Sequence, residues 1–305
     1  MVKIGLLGFS DNNGHPYSFS AILNGYNKDR FKETEWLGIL GYLQKRSVED
    51  FCSFDAKITH VWCQDHRRAE DISACCYIDN VVFDYVDMIG YVDAVIIARD
   101  DYENHKAMAE PFLNAGIPVM IDKPLTLDES ELKWFMSYYD RGLLYSCSGL
   151  RFCKELDLIR ENLAEFGRIK LVKASVVNHW DKYGVHMLDA TLGIWDERIE
   201  TVSCETQSGI DTYTLVYSNG MVLQINTLGP ECFSFSYEVI GEKKSYHTNI
   251  SDNFSAFKRM LGGFVEQVNN GTPYLKSKSV ERSISVMIAG EKAKAQQSTV
   301  KVYND

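Results

Sequence analysis

The chain has 305 residues, 45% of them hydrophobic, and is long enough to bury one large core or two smaller ones. Its formal net charge is -10, and its basic residues form no cluster larger than short pairs such as Arg67-Arg68, which argues against a nucleic-acid-binding surface. No apolar run reaches the roughly 18 residues of a membrane span, and the first residues lack the pattern of a signal peptide. The composition therefore predicts a cytoplasmic, two-domain globular protein that does not bind membranes.

The eight cysteines are scattered without a C-x-x-C pair, and several lie in apolar runs such as the one that contains Cys63. This distribution is typical of reduced thiols in a protein interior. A disulfide framework is expected in short chains with a secretory signal, which this chain lacks. A structural zinc site would need ligands at closer spacing. We therefore expect a reducing compartment and no bound metal.

In chain order, the first half alternates apolar strands with helices. The first apolar run, 3–8, ends in glycine and leads through a polar loop into a helix at 17–26. Further strands are predicted at 58–63, 94–98, 117–121 and 143–148. Helices are predicted at 67–75 and 105–114, and a further helix is capped by 127–130 and runs to 139. Strands joined by crossover helices form a parallel sheet, so residues 1–148 predict a Rossmann-type doubly wound domain. The stretch at 27–54 has its own apolar pattern and predicts an inserted helical element of unassigned function.

The second half changes character and predicts an α+β domain over residues 149–305. Longer strands are predicted at 169–178, 201–205, 212–218, 221–227 and 233–240. Two of them are joined by Ser218-Asn219-Gly220, a hairpin turn in which Asn-Gly tolerates positive φ. Helices at 156–166, 187–195 and 254–269 are expected to cover one face of a mainly antiparallel sheet. The whole chain thus predicts an α/β fold with a Rossmann domain followed by a substrate-binding sheet domain.

The loop after the first strand is a candidate site for a dinucleotide pyrophosphate, because it precedes a helix whose amides face an anion. Its glycines depart from the usual G-x-G-x-x-G spacing: Ser10 takes the second position and Gly14 comes one residue late. A turn-rich connection without a ligand is the alternative interpretation. The residues assigned to a cofactor here are Gly8, Phe9, Ser10, Asn12 and Asn13.

Asp65, just past the second strand, bears on the choice of cofactor. A carboxylate there accepts the ribose hydroxyls of NAD and repels the 2′-phosphate of NADP. Two alternatives remain open. Either Cys63 or Gln64 takes the ribose position, or the adjacent His66, Arg67 and Arg68 accommodate a phosphate. The sequence favours NAD and does not exclude NADP.

Asp122-Lys123-Pro124 lies at the end of an apolar parallel strand, where ligands bind in doubly wound sheets. A partly desolvated lysine at such a position can have a lowered pKa and exchange a proton with a substrate hydroxyl or carbonyl. The alternative is a solvated loop lysine beside a turn proline. Lys123 is therefore a candidate catalytic residue and Asp122 a candidate cofactor contact.

His186 and Asp189 are three residues apart at the start of a predicted helix and so share a face. An imidazole beside a carboxylate can act as an acid, a base or an orienting group. A helix-end histidine with local partners is one alternative, and a metal pair is another, although no third ligand lies nearby in sequence. His186 is assigned a catalytic role, and Asp189, Lys182 and Trp180 are assigned to the substrate.

These candidates resemble, in order and spacing, the motifs of the Gfo/Idh/MocA family of sugar and cyclitol dehydrogenases, and the resemblance covers nearly the whole chain. Residues 92–98 with His105, followed by 116–124, resemble the family's fourth strand, helix and Glu-Lys-Pro motif. Arg151-Phe152 resembles the Arg-Phe after its sixth strand. The segment 166–169 resembles its Gly-x-Ile strand opener, and 186–189 its His-x-x-Asp.

The resemblance implies an NAD(P)-dependent oxidoreductase that transfers a hydride to or from a secondary alcohol or ketone carbon of a sugar, nucleotide sugar or cyclitol. Lys123 and His186 would flank that carbon, with Asp189 orienting the substrate or the histidine. Arg99 and His105 would belong to the cofactor site, and Arg151 to the substrate site. The resemblance also implies a homodimer or homotetramer built on the open face of the second sheet, to which Tyr213, Leu215 and Tyr217 could contribute; packing against helices is the alternative for these three.

Three departures from the family pattern stand out: Asp122 replaces a glutamate, the glycine loop is altered, and Lys182 stands where aspartate is common. A lysine at 182 reverses the local charge and leads to the hypothesis of an anionic substrate, such as a carboxylated or phosphorylated sugar. The same departures support an alternative function, a non-catalytic homologue that binds a dinucleotide or sugar and regulates a partner.

Overall fold

The computed structural model describes residues 1–302, which divide into two compact units. The first unit contains residues 1–126, 133–146 and 257–277. The second contains residues 127–132, 147–256 and the described residues from 278 onward. The chain leaves the first unit for residues 127–132, leaves it again after residue 146, and returns to it for residues 257–277.

The strands fall into two sheets, one in each unit. In chain order they are β1 (Val2–Leu7), β2 (Ala56–Trp62), β3 (Asn80–Val81), β4 (Ala94–Ile97), β5 (Val119–Ile121), β6 (Leu144–Tyr145), β7 (Ile169–Val176), β8 (Ile199–Gln207), β9 (Ile210–Tyr217), β10 (Val222–Thr227), β11 (Phe235–Gly241), β12 (Ser245–Asn249) and β13 (Val300–Lys301). Every strand predicted from the sequence is present with shifted ends. Three strands were not predicted: β12 and the two-residue strands β3 and β13.

The helices are amphipathic or buried segments that cover these sheets. In chain order they are α1 (His15–Asn24), α2 (Lys28–Lys32), α3 (Leu37–Leu43), α4 (His66–Cys76), α5 (His105–Asn114), α6 (Glu129–Tyr139), α7 (Asp157–Glu161), α8 (Leu163–Phe166), α9 (Val185–Leu192), α10 (Asn253–Asn270) and α11 (Ser277–Gln296). The predicted helix at 156–166 is in fact the two short helices α7 and α8, because the backbone leaves helical geometry at Asn162.

The first sheet is entirely parallel, with the strand order β3-β2-β1-β4-β5-β6. This is the order of a doubly wound dinucleotide-binding fold, so the Rossmann-type prediction is confirmed. The order reverses between β1 and β4, and ligands of such sheets bind at the carboxyl ends of the strands at this point. The loops after β1, β4 and β5 are therefore where the first half of the site must be sought.

The insertion at 27–54 is helical, as predicted, and packs on the loop that follows β1. A Cβ atom on Gly14 would come within 2.5 Å of Ile39 Cδ1 and 2.6 Å of Trp36 Cε3. The Trp36 ring also contacts Phe9, with 6.0 Å between ring centroids. The insertion thus excludes any side chain at residue 14 and covers one side of the loop.

The second sheet has the order β12-β11-β7-β10-β9-β8-β13. Its β7–β10 pair is parallel and its other pairs are antiparallel, so the prediction of a mainly antiparallel sheet is confirmed. The β9–β10 hairpin turns at Gly220, whose φ is +82°, as the Asn-Gly sequence predicts. Three predicted interface residues are instead buried in the core of this unit, so they form no open face: Tyr213, Leu215 and Tyr217.

The prediction that α10 covers the second sheet was wrong for most of its length, because residues 257–270 belong to the first unit. Tyr145 Oη donates to the Met260 carbonyl at 3.0 Å, and Gln267 donates to the carbonyls of Gly142 and Leu144. The apolar face of α10 was evident from sequence, but periodicity does not say which sheet that face covers. In the second unit, α11 contributes Val286, Met287 and Ala289 to the core.

Candidate active site

The loop between β1 and α1 carries backbone amides that are able to bind an anion. Within residues 1–302, the amides of Ser10, Asp11, Asn12 and Gly14 have no hydrogen-bond acceptor. The Phe9 amide donates to Gln64 Oε1 at 3.1 Å, so it is not among these donors. Several unpaired amides in one tight loop are the feature that a phosphate or pyrophosphate requires.

The same loop packs as closely as a dinucleotide fold requires. A Cβ atom on Gly8 would lie 3.1 Å from Pro16 Cγ and 3.2 Å from Cys63 Sγ, so glycine lets the start of α1 approach the ends of β1 and β2 closely without displacing these neighbours. Ser10 replaces the second glycine of the fingerprint, and its hydroxyl donates to Asp100 Oδ1 at 2.7 Å. The serine is therefore turned toward the strand ends, and the loop remains compatible with a pyrophosphate.

The first turn of α1 contributes fewer donors than is usual in such a fold. Pro16 has no amide hydrogen, and the His15 amide donates to Asn13 Oδ1 at 2.9 Å. Trp36 covers Gly14 from the other side. A bound pyrophosphate would thus be held by loop amides rather than by the helix turn.

The predicted cofactor residues beyond this loop occupy different positions. Asp65 is exposed at the N-cap of α4, where its carboxylate accepts the Arg67 amide at 3.0 Å. Arg99 follows β4 and is paired with Asp101 and with Gln64 Oε1, the latter at 2.7 Å. Both side chains lie after strands at the ligand-binding edge of the first sheet.

His105 is fully buried, and its two ring nitrogens lie 2.9 Å from the carbonyls of Leu125 and Arg99. It connects the loop after β4 to the segment after β5. This placement corrects its assignment as a cofactor contact: His105 supports the two loops from inside.

Lys123 lies directly after β5 and is only 4% exposed. Its Nζ is 3.8 Å from Asp100 Oδ2, and Asp100 in turn is hydrogen-bonded to Ser10 through its side chain and its amide. The alternative of a solvated loop lysine is therefore wrong. Sequence reasoning missed Asp100, although its position just after β4 marks the ligand-binding edge of the sheet.

Asp122 is buried at the end of β5 and accepts three hydrogen bonds. Its donors are Asn13 Nδ2 at 3.0 Å, the Lys123 amide at 2.8 Å and His15 Nδ1 at 2.5 Å. Burial alone would raise the pKa of the Asp122 carboxyl, but His15 and the other partners outweigh it and hold that pKa well below its usual range. Asp122 is thus an internal anion that connects β5 to the loop after β1.

In the second unit, His186 is positioned by Ser148. Ser148 Oγ lies 2.7 Å from His186 Nδ1, so proton exchange with a substrate would use Nε2. The imidazole is flanked by the aromatic rings of Tyr183 and Phe235, at centroid distances of 5.3 and 6.2 Å. Sequence reasoning missed Ser148, although it is the last residue of the strand predicted at 143–148.

Asp189 is 2% exposed and acts on His186 only through Ser148, whose amide donates to Asp189 Oδ2 at 2.6 Å. Its other oxygen accepts from Ser283 Oγ at 2.8 Å and lies 3.6 Å from Arg151 Nη1. Burial raises the pKa of the Asp189 carboxyl, and Arg151 opposes this shift in part. Of the two predicted roles, orienting the histidine fits this geometry and contacting the substrate does not.

Two predicted substrate contacts are internal residues, which corrects their assignment. Arg151 is buried and donates to Ser279 Oγ and to the Leu192 carbonyl. Trp180 is 1% exposed and stacks on Tyr213 at 4.0 Å between centroids. Motif order located these residues near the site but could not say that they face inward.

Lys182 is partly exposed in a π-helical turn, Trp180–Gly184, which leads directly into α9. The turn places it one helical turn before His186.

Among residues 1–302, no group of three or more His, Cys, Asp or Glu side chains is arranged to hold a metal ion. Within the same residues, no helix is long and apolar enough to cross a membrane.

Comparison with known proteins relates this geometry to one family. Residues 37–139 match the Gfo/Idh/MocA model, described as an oxidoreductase family with an NAD-binding Rossmann fold, which confirms the resemblance over that segment. No curated protein matches the chain in sequence.

Solved structures share the fold over the whole chain. Apo scyllo-inositol dehydrogenase from Lactobacillus casei aligns with a TM-score of 0.78 at 14% identity, covering 99% of this chain and 98% of that one. Myo-inositol 2-dehydrogenase from Lactobacillus plantarum gives a TM-score of 0.77 at 14% identity, with 99% of each chain covered. Myo-inositol dehydrogenase from Lactobacillus casei, solved with NAD(H) and myo-inositol, gives 0.76 at 15% identity, covering 100% of this chain and 98% of that one. At these identities the likeness establishes the fold.

Proposed function

From the premise that residues 37–139 match an NAD-binding oxidoreductase family, we propose that the protein is an NAD-dependent dehydrogenase or reductase that acts on a secondary alcohol or ketone carbon of a cyclitol or sugar-like substrate. The observation that carries the proposal is Lys123, buried beside Asp100 at the end of a central parallel strand. The cofactor would supply the hydride acceptor or donor. The structural relatives named above include enzymes solved with NAD(H) and an inositol, which supports this substrate class.

The loop amides of Ser10, Asp11, Asn12 and Gly14 are the groups that would hold the cofactor pyrophosphate. Proton exchange with the substrate oxygen is assigned to Lys123 in the first unit or to His186 in the second. Lys123 is buried directly beyond β5, and its Nζ lies 3.8 Å from Asp100 Oδ2, which fixes the position of the side chain. His186, with Nδ1 held by Ser148, presents a ring in a fixed orientation.

We favour NAD over NADP because the basic side chains near the ribose position are already paired. Arg68 contacts Glu35 at 2.7 Å, and Arg99 is paired with Asp101. Asp65 adds a negative charge after β2. To bind a 2′-phosphate, Arg68 and Arg99 would have to give up these carboxylate partners, and the phosphate would also meet the carboxylate of Asp65.

The test is a titration with NAD, NADH, NADP and NADPH, followed by nicotinamide fluorescence and thermal shift. Turnover is then measured on a panel of cyclitols, sugars and nucleotide sugars. We expect NADH to bind more tightly than NADPH, and Lys123→Met to bind NADH normally but lose most turnover, by about 100-fold or more. Lys133→Met, which removes an exposed lysine of α6, is the control and should keep full activity. Unchanged turnover in Lys123→Met would remove this lysine from catalysis.

The alternative is a non-catalytic homologue that binds a dinucleotide or sugar and regulates a partner. The observation that favours it is the inserted segment, whose Trp36 and Ile39 cover Gly14 beside the phosphate loop. Tight cofactor binding without turnover on the whole panel would favour this alternative over the enzyme.

We also propose a homodimer or homotetramer that uses the face of the second sheet opposite its core. On β9 this face carries Thr214 and Val216, which alternate with the buried tyrosines. Light scattering coupled to gel filtration tests the assembly.

A cytoplasmic location is proposed as well, supported by eight free cysteines.

A further inference from the structure

We propose that His15 is a positioning residue for Lys123 and that it acts through the buried carboxylate of Asp122. The proposal rests on the proposed function for its catalytic consequence, but the contacts themselves lie entirely within the first unit. Nothing in the sequence motifs points to His15. Its importance follows from the side chain that it reaches.

The carboxylate of Asp122 joins two elements that carry different parts of the site. One oxygen, Oδ2, accepts from His15 and Asn13, which belong to the start of α1 and the loop before it. The other, Oδ1, accepts the backbone amide of Lys123 at 2.8 Å. A displacement of this carboxylate would therefore move the backbone from which the lysine side chain extends.

Asp122 depends on His15 to remain a fixed anion. A buried carboxylate is costly unless charged or polar donors surround it, and Asp122 is only 3% exposed. His15 forms the shortest of its three hydrogen bonds, at 2.5 Å. Without this partner, the carboxylate would have to take up a proton or rotate toward its remaining donors, and either change would alter the environment of Lys123.

The imidazole of His15 is itself held in place. It stacks on Phe19 at 4.9 Å between centroids, and the edge of Phe257 contacts it at 5.1 Å. Its side chain is only 18% exposed, and its contact with Asp122 Oδ2 is direct. A ring fixed on two sides and bonded through Nδ1 is suited to orienting a carboxylate rather than to reacting itself.

The test compares two substitutions at one position. In His15→Asn, the amide nitrogen lies as far along the side chain as Nδ1 and can still donate to Asp122; His15→Leu keeps the bulk but removes the donor. We expect His15→Leu to lower kcat by roughly 10- to 100-fold, as expected for loss of a hydrogen bond to a charged group, and His15→Asn to stay within about 3-fold of the wild type. Equal losses in both variants would contradict the proposal.

A double-mutant cycle separates positioning from a general loss of stability. If His15 acts through Lys123, adding His15→Leu to Lys123→Met should produce no further fall in residual turnover. A purely structural role would instead reduce turnover in both backgrounds by the same factor. Melting temperatures of all variants show whether each protein is folded at the assay temperature.

A measurement without substrate keeps the inference separate from the proposed function. In protein labelled with ¹⁵N and ¹³C at lysine, the NMR signal of Lys123 is identified by its absence in Lys123→Met. Its chemical shift should change in His15→Leu and be retained in His15→Asn. An unchanged Lys123 signal in His15→Leu would overturn the inference even if the enzyme is active, whereas failure of NADH to bind the wild type would overturn only the proposed function.

Discussion

Ser148 forms hydrogen bonds with two side chains of α9, those of Asp189 and His186. Its amide binds Asp189 and its hydroxyl binds His186 Nδ1. A buried carboxylate thereby fixes the position of a serine, and the serine fixes the orientation of an imidazole. Such partners determine which ring nitrogen faces a ligand.

Ser148→Ala should lower kcat by about 10-fold and leave NADH binding unchanged, because it removes the contact to His186 but keeps the amide bond to Asp189. Steady-state kinetics and fluorescence titration measure the two effects. Ser283→Ala is the matched control, since it removes a hydroxyl from Asp189 without touching the histidine, and we expect a smaller fall in kcat. Equal effects in the two variants would mean that Ser148 does not act through His186.

Lys182 tests the charge of the substrate at the level of a single residue. If its ammonium binds an anionic group, Lys182→Met should raise KM for phosphorylated or carboxylated sugars by about 10-fold and change KM for neutral cyclitols little. Lys278→Met, which removes an exposed lysine at the start of α11, serves as the control. Improved activity of Lys182→Asp on anionic substrates would contradict the hypothesis.

The contact between α11 and the π-helical turn shows how elements of the second unit fit together. Trp180 Nε1 donates to the Met287 carbonyl at 2.9 Å. The indole lies so close to the helix that a Cβ atom on Gly290 would come within 2.4 Å of it. Because Tyr213 stacks on the other side of the ring, the indole has no room to move away.

Gly290→Ala should therefore destabilise the protein by about 2 kcal/mol, since an overpacking cost of about 3 kcal/mol exceeds the roughly 1 kcal/mol that alanine gains over glycine in a helix. Chemical denaturation measures the free energy of unfolding. Gly38→Ala in α3 is the matched control, because beyond its chain neighbours and its own helix backbone no described atom lies within 4 Å of the new methyl group, and it should be neutral or stabilising. A neutral Gly290→Ala would show that this contact is not tight in solution.

The elements themselves were largely predictable, because strand and helix periodicities are local properties of the sequence. The parallel order of the first sheet followed from alternating strands and helices, and the hairpin at Gly220 from its Asn-Gly pair. The destination of α10 was not predictable, since an apolar face does not identify its partner. The helix break at Asn162 and the two-residue strand β3 were not predicted either, because both depend on tertiary contacts that local periodicity does not encode.

The candidate site was predictable only where position in the fold determines it. Lys123 and His186 were identified because they follow a central strand and open a helix. Whether a neighbouring side chain has internal partners is decided by packing, so Trp180, Arg151 and His105 were assigned to ligands although each forms hydrogen bonds within the protein. The residues that complete each cluster, Asp100, Ser148 and His15, come from distant parts of the chain.

At the scale of the whole molecule, the path of the chain departs from a simple succession of two domains. Residues 133–146 and 257–277 belong to the same unit although the second sheet lies between them in sequence. The aromatic ring of Phe257 packs on Phe19, and Gln267 closes the end of β6 through two carbonyls. The first unit is therefore built from the N-terminal half of the chain together with one segment that follows β12.

This threading sets the timing of folding during protein synthesis. The N-terminal parallel sheet can form early, but the helix that covers β6 is translated only after strands β7–β12 of the second sheet, a delay on the order of 10 s at ordinary elongation rates. Until then Phe19 and Tyr145 lack their partners, and the nascent chain exposes an apolar surface that attracts chaperones. A gene fragment that ends near residue 148 would leave that surface uncovered permanently and should yield an aggregation-prone product.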